Sequence, residues 1–108
     1  MITIHGNPRL FICRIPMSMR KNFEGLSSAV EEMFPGELLS GAYFIFLNRQ
    51  RNYMKVLYWD VDGLAIWSKR LEMGTFAARG THQSISRKEF LMLLEGVVPK
   101  RVHRRYSL

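Results

Sequence analysis

The run Ala42-Tyr43-Phe44-Ile45-Phe46-Leu47 is apolar at every position. Strand side chains alternate between two faces, so a run without polar alternation is what a central strand requires. The polar stretch Asn48-Arg49-Gln50-Arg51-Asn52 follows and reads as a hairpin loop. Residues 53–59, rich in aromatic and branched side chains, form the next strand. Asp60-Val61-Asp62-Gly63 is a tight turn in which Gly63 is expected to take positive φ. A third strand runs from Leu64 to about Leu71, and residues 74–77 are placed to extend or add to the sheet. Three strands joined by short loops make a meander.

Upstream, residues 9–15 are short, rich in strand formers and bounded by Asn7-Pro8 and Pro16. From Met19 to Phe34, the positions Phe23, Leu26, Val30 and Phe34 follow helical spacing. Ser18 is expected to cap this helix and Pro35-Gly36 to close it. Gly25 within it costs about 1 kcal/mol against alanine, which points to close packing against another element. Downstream, Ser86 and Glu89 form an S-x-x-E capping box, with Ile85 and Phe90 at the positions of a hydrophobic staple. Phe90, Leu93, Leu94 and Val97 carry that helix's stripe, and Gly96 with Pro99 ends it. The expected fold is α+β: a single domain, with an antiparallel meander sheet of three to five strands packed with two main helices. Its domain spans residues 1–98, and residues 99–108 form a basic tail expected to be mobile.

A chain of 108 residues, 47% hydrophobic, suits one modest core. Its one cysteine, Cys13, lies in an apolar run and reads as a small buried hydrophobe in a reduced, cytoplasmic setting. No apolar run approaches the ~20 residues of a membrane span, and the first residues lack the pattern of a signal peptide. A soluble, intracellular protein without membrane contact is expected. The formal net charge of +7 attracts polyanions through a salt-sensitive term independent of sequence.

Catalytic chemistry finds little support. Asp60 and Asp62 are the only aspartates, and two-metal phosphoryl transfer needs more carboxylates converging on one site. The pair reads better as a turn. His5, His82 and His103 are scattered without zinc-ligand spacing, and neither a nucleophile elbow nor a phosphate loop is present. No catalytic residue, metal or cofactor is assigned.

The basic residues form patterns. Arg49 and Arg51 lie in the hairpin loop, Lys55 in the next strand, and Lys69 and Arg70 near the end of the third. The meander would return Lys69 and Arg70 to the end that holds Arg49 and Arg51. A shared rim for phosphates and a scatter of solubilising charges are both open readings. The tail adds Lys100, Arg101, Arg104 and Arg105. The aromatics Tyr43, Tyr53, Tyr58, Trp59 and Trp67 are of the type that offers stacking faces to bases, but most are read as core, and an exposed subset would instead favour a protein interface.

Several spaced segments resemble one family. Met19-Arg20-Lys21-Asn22-Phe23-Glu24-Gly25-Leu26 is similar to D-M-R-K-G-F-D-G-L, with Ser18 and Asn22 in place of the usual aspartate and glycine. Gly41-Ala42-Tyr43-Phe44-Ile45-Phe46 is similar to G-x-x-F-V-F. Residues 55–64 resemble K-V-L-x-W-D-x-D-G, residues 69–76 K-R-L-E-x-G-x-F, and residues 93–96 L-L-E-G. The family is that of the TnpB accessory proteins, the second open reading frame of IS66-type insertion sequences. The resemblance implies an accessory part in transposition beside a separate, larger transposase; the expectation that it is non-catalytic comes from the missing ligand and nucleophile constellations. It carries over no catalytic residues, and Ser18 lacks the charge that the usual aspartate would bring to that position.

The leading expectation is an accessory factor for DNA transposition that contacts element DNA, the transposase of the same element, or both. DNA contact is assigned to Arg49, Arg51, Lys55, Lys69, Arg70 and the tail, and partner contact to Arg20, Lys21, Tyr58, Trp59 and Trp67. The alternatives are a protein-interaction module without DNA contact and a metal-dependent nuclease using Asp60 and Asp62. The oligomeric state is open.

Overall fold

The computed structural model describes residues 2–76 and 84–94. Its elements are β1 (Leu10–Ile12), α1 (Phe23–Met33), β2 (Tyr43–Leu47), β3 (Tyr53–Asp60), β4 (Gly63–Arg70), β5 (Ser84–Ile85) and α2 (Arg87–Leu94). They form an α+β domain around one sheet ordered β4-β3-β2-β1-β5. The apolar run becomes β2 at the centre of that order, and all five of its residues are buried. β2, β3 and β4 form the expected antiparallel meander. β1 joins β2 in parallel, with α1 as the crossover such a pairing needs.

The two faces of the sheet hold separate cores. On one, Leu26 and Val30 of α1 pack with Cys13, Phe44, Phe46 and Leu57. Phe11, Phe34 and Phe44 form a ring cluster on that side, with centroids 4.9 to 5.7 Å apart. On the other face, Phe90, Leu93 and Leu94 of α2 pack with Ile45, Leu47, Met54, Val56 and Phe76. Cys13 is a buried free thiol whose pKa is pushed up by desolvation. None of the described helices is long and apolar enough to cross a membrane.

Several expectations are corrected. α1 begins at Phe23, four residues after Met19, because residues 18–21 form a turn. Ser18 Oγ accepts the Arg20 N–H there (3.2 Å) and Ser18 O accepts that of Lys21 (3.2 Å), so Ser18 does not cap α1. Asn22 takes the cap position without a side-chain cap, and Phe23 is 47% exposed rather than part of the core stripe. The neighbour that Gly25 accommodates is the stem of Lys21, 3.0 Å from where a Cβ would stand, not another element. Positive φ in the β3–β4 turn falls on Val61 (58°), not Gly63, which pairs with Asp60 at the start of β4. The Asp62 N–H bonds Asp60 O across Val61 (2.5 Å), a γ-turn that is strained around a branched residue. Residues 71–76 add no strand, although the Phe76 N–H bonds Arg51 O (2.7 Å); Ala77 lies outside the described residues. A fifth strand comes instead from Ser84-Ile85, antiparallel to β1.

The capping box of α2 forms as expected. The Glu89 N–H bonds Ser86 Oγ (3.0 Å) and the Ser86 N–H bonds Glu89 Oε1 (2.8 Å). Val97, Gly96, Pro99 and the tail lie outside the described residues.

The Ser86 backbone N–H, then its side chain, lower the Glu89 pKa. A depressed carboxylate stabilises the fold above the ordinary glutamate range, and that contribution is lost as pH falls through the lower folded value. Urea titrations at several pH values will show this acid slope reduced in Glu89→Gln. Val61→Gly removes the left-handed strain and is expected to raise stability by about 1 kcal/mol in the same assay.

Candidate nucleic-acid interface

The groove that gathers the basic side chains has two walls held on β2 and β3. After β1 the chain stays beside β2, with the Cys13 N–H on Ile45 O and the Met17 N–H on Leu47 O, both at 2.9 Å. This carries Pro16, Met17, Ser18, Met19 and Arg20 past the end of the sheet as the first wall. The second wall is the β2–β3 hairpin, organised by Asn48. Its Oδ1 accepts the N–H groups of Asn52 (3.0 Å) and Tyr53 (3.1 Å), while its Nδ2 donates to Asn52 Oδ1 (2.8 Å). Arg51 takes φ 57° in this loop. Asn48, Arg49, Gln50, Tyr53 and Arg70 complete the groove lining.

Three arginines, Arg20, Arg49 and Arg70, thus line one groove, and no carboxylate stands among its lining residues. The Arg70 guanidinium lies over the Tyr53 ring, 4.8 Å from its centroid, which orients it without neutralising it. The expected meeting of the two ends of the meander occurs: Arg70 pairs in register with Tyr53, beside the loop that carries Arg49 and Arg51. Arg51 does not line the groove.

Two lysines assigned to the rim are engaged elsewhere. Lys55 is 6% exposed, and its Nζ donates to Lys21 O (2.9 Å) and Asn22 Oδ1 (3.1 Å), tying the start of α1 to β3. Lys69 sits on the α2 face, where its Nζ donates to Leu94 O at the end of that helix (2.8 Å). This sets a positive charge against a backbone carbonyl in the last described turn of α2. Lys100, Arg101, Arg104 and Arg105 lie outside the described residues.

The residues assigned to partner contact do not form one patch. Arg20 joins the groove, and Lys21 is exposed beside it. Tyr58 stacks on Tyr43 with centroids 4.7 Å apart, and Trp67 packs against the α2-side core. Desolvation, then the charge of Asp60, raises the Tyr58 pKa. Trp59 remains 39% exposed at the far end of the hairpin, where its Nε1 donates to Val61 O (3.2 Å), and Val61 is 88% exposed. Asp60 and Asp62 occupy that turn, which is closed by backbone hydrogen bonding. Among the described residues, no group of three or more His, Cys, Asp or Glu side chains is placed to hold a metal.

Sequence reasoning missed Met17, Met19 and Pro16 as wall residues and placed Arg20 apart from Arg49 and Arg70. Only the parallel register of β1 on β2 brings these together, and no local signal encodes it.

A model of the family described as IS66 Orf2 like protein matches residues 8–104. The uncharacterized protein y4hO of Sinorhizobium fredii is 32% identical over 94 residues, covering 84% of this chain and 82% of its own length. The uncharacterized protein y4jC of the same organism is 26% identical over 100 residues, covering 90% and 86%. No solved structure matches. The chain belongs to the IS66 Orf2 like family, a family of accessory proteins rather than a known class of enzyme, and this supports a transposition-associated role.

Proposed function

We propose that the chain assists transposition by holding element DNA in the groove, without making or breaking bonds itself. Arg20, Arg49 and Arg70 are its phosphate contacts. The observation that carries this reading is the convergence of three arginines from three separate segments on a groove whose lining includes no carboxylate. Guanidinium groups suit phosphate oxygens, and such contacts fix position rather than sequence. Sequence choice then rests with the transposase of the same element, the proposed second partner.

A reading as a protein-interaction module without DNA contact is favoured by one feature. Trp59 and Val61 are exposed at the acidic end of the hairpin. Binding of transposase there, with no affinity for DNA at low salt, would establish that reading over the first.

The test is fluorescence anisotropy with terminal-repeat duplex at several salt concentrations. Three phosphate contacts predict an affinity loss of about 40-fold between ~50 and ~200 mM salt. Each of Arg20→Ala, Arg49→Ala and Arg70→Ala should reduce the logarithmic slope by about one. Absent or salt-independent binding overturns the proposal. Lys55→Met serves as a contrast. It removes two charge-assisted hydrogen bonds and should cost about 1.5–3 kcal/mol of stability. It should weaken DNA binding only through a loosened wall, leaving the salt slope unchanged.

A further inference from the structure

β4 is the outer strand of the sheet, and among the described residues no strand lies beyond it. It pairs with β3 over eight consecutive positions, from Gly63 to Arg70, without a bulge or proline. Alternate backbone groups of such a strand point away from the sheet and are a template for another strand. Its apolar residues Leu64, Ala65, Ile66 and Trp67 are only partly covered.

Charge and size along this edge are self-complementary. An antiparallel pair about a two-fold axis keeps every side chain on its own face only when paired positions are an even number apart. Centring the axis on Ile66 meets that condition. Ala65 then stands opposite the second copy's Trp67, a small residue against a large one on the α2 face. Leu64 stands opposite the second copy's Ser68, and Asp62, in the turn just before β4, comes level with the second copy's Arg70. Each opposite-charge pair occurs twice. We infer that the chain forms an isologous dimer by antiparallel pairing of β4 with β4 of a second copy, centred on Ile66. The inference does not rest on DNA binding in the groove.

Edge pairing lies at the small end of stable interfaces, so association is expected at roughly ten to a hundred micromolar. Sedimentation equilibrium of the full chain should give a mass about twice 12.7 kDa in that range. Asp62→Arg and Arg70→Asp should each weaken dimerisation about tenfold at low salt, since like charges across strands repel. The double variant should restore it, a rescue that a merely structural effect would not give.

Register is checked by cysteine crosslinking, with the buried Cys13 retained. Ile66→Cys should form an intermolecular disulfide on mild oxidation, while Ser68→Cys alone should not. A folded chain that stays monomeric at these concentrations overturns the inference. So does a dimer indifferent to the charge exchange, or one that crosslinks through Ser68→Cys and not Ile66→Cys. Pairing of β4 with a transposase strand instead of a second copy would show as crosslinking to that protein alone, and overturns it equally.

Discussion

A strand buried on both faces cannot be stabilised from one side, and β2 imposes this condition on the whole domain. Tyr43, Ile45 and Leu47 face one core and Phe44 and Phe46 the other, so the chain must bring a helix to each side. α1 arrives as the crossover between parallel β1 and β2, and α2 arrives after the sheet is complete. Among the described residues, α1 supplies the buried side chains of Leu26 and Val30, and α2 those of Phe90, Leu93 and Leu94. Phe11 and Phe34 complete the core on the α1 side and Phe76 that on the α2 side.

The groove depends on the same arrangement. Its first wall is the chain that leaves β1 along β2, so it exists only because β1 is parallel to β2 and continues past the end of Leu47. Lys55 fixes the far end of that wall by donating from β3 to Lys21 O and Asn22 Oδ1. A lysine whose ammonium is nearly covered is costly unless hydrogen-bonded, and these two oxygens repay part of that cost. Asn22, which stands where the resemblance has glycine, supplies one of them. Its amide therefore has a structural use that a glycine could not provide.

What was legible in the sequence were features with local physical signatures. The apolar run gave the central strand, alternating polar loops gave the meander, and the Ser86–Glu89 spacing gave the start of α2 correctly. Features set by long-range register were not legible. The pairing of Ser84-Ile85 with β1 is set by the open edge of β1 and not by a pattern in those two residues. Likewise, Lys55 and Lys69 read as surface charges because nothing nearby in sequence reveals that backbone oxygens of distant segments lie within reach of each ammonium. The start of α1 was misplaced for a related reason. The turn at Ser18 uses the same side-chain chemistry as a helix cap, and Lys55 holds the residues between that turn and Phe23.

The β3–β4 hairpin separates charge along its length. Arg49, Arg51 and Arg70 mark one end, and Asp60 and Asp62 the other. Eight residues at about 3.3 Å each put these ends roughly 25 Å apart, about three Debye lengths at physiological salt. The carboxylates therefore do not neutralise the groove. Near a polyanion they are repelled while the arginines are attracted, so the domain approaches with the groove first. The same polarity is what makes β4 complementary to itself, because antiparallel pairing sets each end against its opposite. A two-fold axis perpendicular to the sheet leaves like faces on the same side. Tyr53 and Arg70 share the face that carries Leu57 and Ile66, so pairing two copies would present both grooves to one side rather than hide either. Self-association through β4 would draw Arg70 of each copy towards the second copy's Asp62, leaving Arg20 and Arg49 as the uncompensated arginines of each groove.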